Sequence, residues 1–301
     1  MTAAMSAKEG VIPFQGHKVW YRMVGEREVA GKLPLLCLHG GPGAAHDYLE
    51  PLEAMAATGR RVFFYDQLGC GQSDQPHDSS MWTVDLFVRE VDVVRKALGL
   101  DRVHILGQSW GGMLAMQYAL TQPVGVASLI IADSPASMRQ WVAEANRLRA
   151  DLPPEVQATL LKHEAANTTA SAEYQEAMMA FYRRHVCRLD PWPDYVNRTF
   201  DQLAKNPEVY YTMNGPSEFH VTGVIKDWDI IDRLGEICQP TLVISGRHDE
   251  ATPLIAGTVH RGIPNSEWVV FEESSHMPHA EEPERFRQVL EDFLGRIERG
   301  S

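Results

Sequence analysis

The stretch Arg102-Val103-His104-Ile105-Leu106-Gly107-Gln108-Ser109-Trp110-Gly111-Gly112 decides the fold. Residues 102–106 form a short apolar run that reads as a buried strand, and 110–120 reads as a helix ended before Pro123. Between them lies a G-x-S-x-G segment, Gly107-Gln108-Ser109-Trp110-Gly111. A strand that passes into a helix through so short a connection must turn sharply. The turn pushes the serine hydroxyl clear of the backbone, at a helix N-terminus, and the small flanking residues let neighbouring backbone come close. Ser109 is therefore the candidate nucleophile. Five such residues alone could be a chance glycine-rich turn; the strand before and the helix after give them their meaning.

The surroundings extend the same pattern. Residues 11–15 and 18–24 read as a hairpin turning near Gly16, Leu35–Leu38 as a short apolar strand, 44–58 as a helix and 61–66 as a buried strand. Val84, Phe87, Val88, Val91, Val94 and Leu98 recur at helical spacing, with Gly99 as a stop signal. Val126–Ala132 is another strand, and the strand pattern returns at 241–245 and 267–271 before a closing helix at 283–297. Strands alternating with helices imply an α/β fold with a mostly parallel sheet and right-handed crossovers. From 137 to 224 no convincing buried strand occurs. That segment is rich in Ala, Glu, Arg, Met and aromatic residues, is broken by Pro153-Pro154 and Pro191-Trp192-Pro193, and is expected to be a helical lid. The expected core is thus 1–136 with 225–301, and the expected lid is 137–224.

Composition narrows the function. A chain of 301 residues, 44% hydrophobic, can bury a large core. The formal net charge of −12, without any Lys/Arg-rich block, argues against nucleic acid. The cysteines Cys37, Cys70, Cys187 and Cys238 are far apart and show no metal-ligand or disulfide spacing. Residues 1–10 lack the apolar stretch of a leader, and no apolar run approaches the roughly 20 residues that span a bilayer. The expectation is a cytoplasmic protein with no membrane partner, acting on a small substrate.

A serine hydroxyl is a weak nucleophile that needs a base, and the base needs an orienting acid. The chain order Ser, Asp, His fits a strand–helix architecture of this type. His276 follows the last expected strand and is the candidate base; His279, three residues on, is the runner-up. Asp249 follows the strand at 241–245 and fits the acid position better than its rival Asp133, which follows Val126–Ala132. Asp227, Asp229 and Asp232 read as solvated. An oxyanion requires donors as well. The N–H of Trp110, just after the nucleophile, is one candidate, and the loop His39-Gly40-Gly41-Pro42-Gly43 supplies Gly41 as the second.

These segments together carry a resemblance. His39-Gly40-Gly41-Pro42-Gly43, Tyr65-Asp66-Gln67-Leu68-Gly69-Cys70-Gly71-Gln72-Ser73, Gly107-Gln108-Ser109-Trp110-Gly111-Gly112 and Met213-Asn214-Gly215-Pro216-Ser217-Glu218-Phe219 resemble the proline iminopeptidases and the similar L-amino-acid amidases and tricorn-interacting aminopeptidase. The resemblance covers most of the chain, the stretch 137–209 contributing least. It implies the α/β-hydrolase fold, an acyl-enzyme mechanism without metal or organic cofactor, and release of an N-terminal residue (proline or another small apolar one) or hydrolysis of an amino-acid amide. It also implies acidic side chains that hold the substrate's free amine, at Glu218 and at Glu250 beside Asp249. A buried ammonium needs opposite charge and hydrogen bonds, so two converging carboxylates suit it. Tyr210 and Tyr211 are expected mainly as packing residues. Two rival readings are an esterase or lactonase without a free-amine requirement, and a non-catalytic binding protein on the same fold.

Overall fold

The structure, a computed structural model, describes residues 6–300; residues 1–5 and 301, including part of the stretch read above for a leader, lie outside the described residues. The strands are β1 (Ala7–Phe14), β2 (His17–Val24), β3 (Leu35–Leu38), β4 (Val62–Tyr65), β5 (Val103–Gln108), β6 (Val126–Ala132), β7 (Thr241–Gly246) and β8 (Ser266–Phe271). The helices are α1 (Val84–Ala97), α2 (Trp110–Ala119), α3 (Met138–Arg149), α4 (Pro154–Ala165), α5 (Ala172–His185), α6 (Asp194–Lys205), α7 (Glu208–Met213), α8 (Pro253–Gly262), α9 (Pro278–Glu281) and α10 (Pro283–Arg299). The strands form one sheet in the order β1-β2-β4-β3-β5-β6-β7-β8. β1 and β2 pair antiparallel, as do β2 and β4, and every pair from β4 across to β8 is parallel. This is the α/β architecture expected from the alternation.

The central strands β3 and β5 are buried at every residue, as strands covered on both faces must be. α1 shows the helical period at work. Its buried face carries Leu86, Phe87, Val91 and Val94, and the Thr83 side chain accepts from the Leu86 N–H at 3.2 Å to cap the first turn. Each such fully buried apolar side chain stabilises the fold by about 1.5–3 kcal/mol. Two elements depart from the sequence reading. The helix expected at 44–58 is a 3-10 stretch, His46–Thr58, with Pro51 inside it. Proline removes one backbone donor and clashes with the preceding turn, which breaks an α ladder. And α8, between β7 and β8, was not expected at all; its opening Pro253 and its buried Ile255, Ala256 and Val259 are the signal that was there.

Between β6 and β7 the chain makes α3 to α7, which lie over the ends of the parallel strands. Proline starts α4 where the sequence is broken by Pro153-Pro154. Aromatic contacts tie the connecting segments to these helices: Phe219 meets Phe181 of α5 edge-on at 5.1 Å between centroids, and Trp192 meets Phe200 of α6 at 5.0 Å. One carbonyl, that of His185 at the end of α5, accepts from the backbone N–H groups of both Glu250 (3.3 Å) and His276 (3.2 Å). The helical insertion is thereby fastened to the two loops that carry those residues. Among the described residues, no helix is long and apolar enough to cross a membrane.

Candidate active site

Ser109 stands between β5 and α2 with φ 56° and ψ −124°. A non-glycine residue there stores about 1–3 kcal/mol of strain and persists only where its surroundings hold it. They do so here: Ser109 N–H donates to Ala132 O at 2.9 Å, and Ser134 Oγ donates to Ser109 O at 2.7 Å. The flanking glycines are set by close approach. A Cβ at Gly107 would lie 2.0 Å from Gly111 O, and one at Gly111 would lie 2.1 Å from Leu38 O. The strand, the turn and the loop after β3 are therefore in direct backbone contact, which no larger residue permits.

The residues picked out in the sequence converge on this turn. His276 and Asp249 come from the loops after β8 and β7. The Nδ1–H of His276 donates to Asp249 Oδ1 at 2.6 Å, and that oxygen also accepts from Ala251 N–H at 2.8 Å. With its proton so placed, the imidazole keeps Nε2 as an acceptor. Ser109, His276, Gly40, Gly41, Glu218 and Glu250 line one cavity. Gly41, Ser109 and Trp110 also border a second, smaller one. The Trp110 N–H opens α2, where a helix's first donors have no intrahelical acceptor. Gly41 has φ 112°, an angle that glycine tolerates.

Rigid supports surround these groups, and the sequence reading missed most of them. Gly40 N–H donates to Tyr48 Oη (2.7 Å), Tyr48 Oη donates to Gln108 Oε1 (2.6 Å), and Gln108 Nε2 donates to His276 O (2.7 Å). This chain of bonds links the glycine loop after β3 to the histidine loop. Gln67 acts similarly on the other side. Its N–H donates to His39 Nε2 at 2.9 Å, its amide donates to His39 O at 2.9 Å, and its Oε1 accepts from Trp110 Nε1 at 2.9 Å. Asp66 accepts from the N–H groups of His46 (2.8 Å) and Gln72 (2.9 Å). The motif at 65–73 is therefore a brace for the glycine loop. Cys70 within it is buried, and burial first, then Glu90 and Asp66, pushes its thiol well up.

The rivals are placed as well. Asp133 follows β6, fully buried, and its Oδ1 accepts from Gly246 N–H at 3.2 Å. Burial first, then the Asp249 charge, holds its carboxyl well above the usual range. His279 is buried under the 3-10 stretch carrying Tyr48, with Nε2 donating to Tyr48 O at 3.1 Å; burial pushes it down to about 3. Asp227, Asp229 and Asp232 are exposed, and Asp229 accepts from Ser137 Oγ at 2.6 Å.

Glu250 is 1% exposed, its Oε1 is 3.7 Å from His276 Nε2, and its Oε2 has no hydrogen-bond partner. Burial, then the charges of Glu218 and Asp249, hold it well above the ordinary carboxylate range. Glu218 faces the same cavity and accepts from Tyr210 Oη at 2.5 Å. Burial raises it too, opposed by that bond and by His276. Tyr210 thus borders the cavity and hydrogen-bonds Glu218, while Tyr211 is 46% exposed. No lysine or arginine lines the cavity. A cation entering it would meet carboxylates that have no countercharge of their own. Elsewhere, among the described residues, His46, Asp47 and Glu50 bring potential metal ligands together. Their donors are already engaged, His46 with Asp66 and the two carboxylates with Arg198.

Comparison with known proteins identifies the family. Residues 34–283 match the family model for the alpha/beta hydrolase fold. A proline iminopeptidase of Clostridium botulinum is 41% identical over 97% of this chain and 99% of its own. Among solved structures, VinJ superposes with a TM-score of 0.93 at 47% identity, covering 96% of this chain and 99% of its own. The proline iminopeptidase of Mycobacterium smegmatis superposes with a TM-score of 0.90 at 46% identity, over 97% of this chain and 99% of its own. On this match across nearly the whole chain, the protein belongs to the proline iminopeptidase family of the α/β-hydrolase fold.

Proposed function

We propose that this protein is a serine aminopeptidase that releases a small apolar N-terminal residue, proline foremost, from peptides or amides. Ser109 Oγ attacks the carbonyl carbon while His276 Nε2 takes its proton, and Asp249 holds the imidazole and balances its charge. The N–H groups of Gly41 and Trp110 receive the oxyanion, each such donor lowering the barrier by about 2.7–4 kcal/mol. When the tetrahedral intermediate collapses, the C–N bond breaks and His276 returns the proton to the leaving amine. Water, deprotonated by the same imidazole, then cleaves the acyl-enzyme ester and frees the amino acid. No step needs a metal or an organic cofactor.

The observation that carries the substrate assignment is the pair Glu218 and Glu250, converging beside Ser109 without a cationic side chain. An ester substrate gives such a pair nothing to bind, whereas a free α-amine neutralises it and fixes the carbonyl one residue away. The names of the relatives agree with proline as the released residue. The test is turnover of a prolyl and an alanyl amide, each free and N-acetylated. Loss of at least about a hundredfold in kcat/KM on acetylation is expected, since two buried carboxylates would lose their partner. Equal rates would favour an esterase.

A further inference from the structure

Helix α5 ends at His185, beside the two loops that carry Asp249 and His276. The last carbonyls of a helix have no acceptor role within it. That of His185 accepts from the N–H of Glu250 at 3.3 Å and from the N–H of His276 at 3.2 Å. The side chain of the same residue reaches the first loop again, its Nδ1–H donating to His248 O at 2.8 Å. One residue of the insertion therefore holds the peptide units on both sides of Asp249 and the backbone of His276. The loops also meet directly, His248 N–H donating to Ser274 O at 3.0 Å. That bond ties them before Asp249 and His276 are reached; the bonds to His185 tie the segments that carry the reacting side chains.

The ring suits this task. A carbonyl only accepts, so Nδ1 carries a proton, and a second proton would go to Nε2 and leave the bond in place. Burial is the first cause that lowers His185 below the ordinary range, with Arg184, His248 and Asp249 the charged groups around it. Behind the ring stands Phe181, with 4.8 Å between ring centroids, itself fully buried and packed on Phe219. The earlier turns of α5 serve the cavities: Tyr182 borders that of Ser109, and Met178 and Met179 wall a chamber of about 390 Å³ with the exposed Ala170 and Ala204 at its rim.

We propose that His185 is a positioning residue for the reaction, holding Asp249 and His276 in register so that the helical insertion helps to order the reacting groups. The inference rests on the reading of Ser109, His276 and Asp249 as nucleophile, base and acid; it does not depend on which substrate is bound. The pair to be held is tight, His276 Nδ1 lying 2.6 Å from Asp249 Oδ1. A displacement of about 1 Å in such a constellation can cost about 10²-fold in rate.

The experiment is the rate at which a fluorophosphonate labels Ser109, followed against pH in the wild type, His185→Phe and His185→Asn. In labelling, the Ser109 Oγ–P bond forms, fluoride leaves and the serine's proton passes to His276. Phe keeps a ring against Phe181 but has no donor; Asn keeps a side-chain N–H. His185→Phe should label about tenfold or more slowly. Its rate should also fall in acid at a pH lower by roughly half a unit, because an imidazolium that meets Asp249 less closely is less stabilised. His185→Asn should stay within about threefold of the wild type and keep the wild-type pH profile. Circular dichroism reports folding, and a loss of folded protein alone lowers the amount labelled without moving the pH profile. If His185→Phe does not fold, His185→Ala replaces it with the same expectation. A donor-free variant that labels within about twofold of the wild type with an unmoved profile, or His185→Asn as slow as His185→Phe, overturns the proposal. A wild type that is not labelled at Ser109 is a different failure, that of the serine hydrolase reading, and takes this inference with it.

Discussion

The sheet and the helical insertion are built on different terms. In the sheet, β3, β5 and β7 are buried at every residue, and the turn at Ser109 is fixed by backbone contacts too close for any side chain but hydrogen. In the insertion, α6 buries only Val196 and Thr199, the walls carry adaptable methionines, and a chamber remains open to solvent. On the proposed function, the difference separates two tasks: reaction type would belong to the rigid part, which holds Ser109, His276 and Asp249, and substrate choice to the junction, where Glu218 and Tyr210 from the insertion and Glu250 from the core border one cavity.

The largest effect should come from the core. Ser109→Ala is expected to lower kcat about 10⁴-fold or more on every substrate, amine-bearing or not, measured by steady-state hydrolysis. A loss confined to free-amine substrates would contradict the division of labour.

At the junction the effect should be selective. Glu250→Gln and Glu218→Ala should each cost about 10²-fold in kcat/KM on a free-amine amide and much less on a simple ester. Glu250→Gln should also stabilise the fold. Glu250 holds its proton more tightly folded than unfolded, so the native state is favoured in acid and penalised as pH rises through the ordinary carboxylate range towards the raised native value. Gln removes that penalty. A Tm gain of about 2–4 °C for each kcal/mol recovered is expected at pH 7 by thermal melting, and none near pH 4. An equal gain at both pH values would mean that the charge is not the cause.

Smaller effects sharpen the picture on each side. Tyr210→Phe frees Glu218 from its hydroxyl donor, and should change KM for amine-bearing substrates by about threefold to tenfold with little change in kcat. In the core, burial and the nearby Asp249 charge hold the Asp133 carboxyl well above the usual range. Asp133→Asn, which keeps the size and carries no charge, should therefore leave the acid limb of the kcat/KM pH profile in place. A downward shift would mean that Asp133 carries charge.

The sequence was most legible where backbone geometry leaves no choice. Strand β5, the turn at Ser109 and the helical face of α1 follow from apolar period and glycine spacing. It was least legible where a role depends on contacts between distant segments. Nothing local in Tyr48 or Gln67 announces a link between the glycine loop and the histidine loop; only folding brings Tyr48 to Gln108 and Gln67 to Trp110. Pro51 could have warned that 44–58 would not be a regular α-helix, and Pro253 that α8 begins there. Glu218 and Glu250 lie 32 positions apart in the chain and each alone reads as a surface carboxylate. Family resemblance singled them out, and the fold places them on one cavity.

The central claim is that these two carboxylates make a free amine a condition of catalysis at Ser109. The direct measurement is kcat/KM for prolyl amide against N-acetylprolyl amide, in the wild type and in the Glu218→Ala, Glu250→Gln double variant. The wild type should favour the free amine by about 10²-fold or more, and the double variant should bring the two rates to within about tenfold. A wild type that hydrolyses both equally, or a double variant that keeps the full preference, would contradict it.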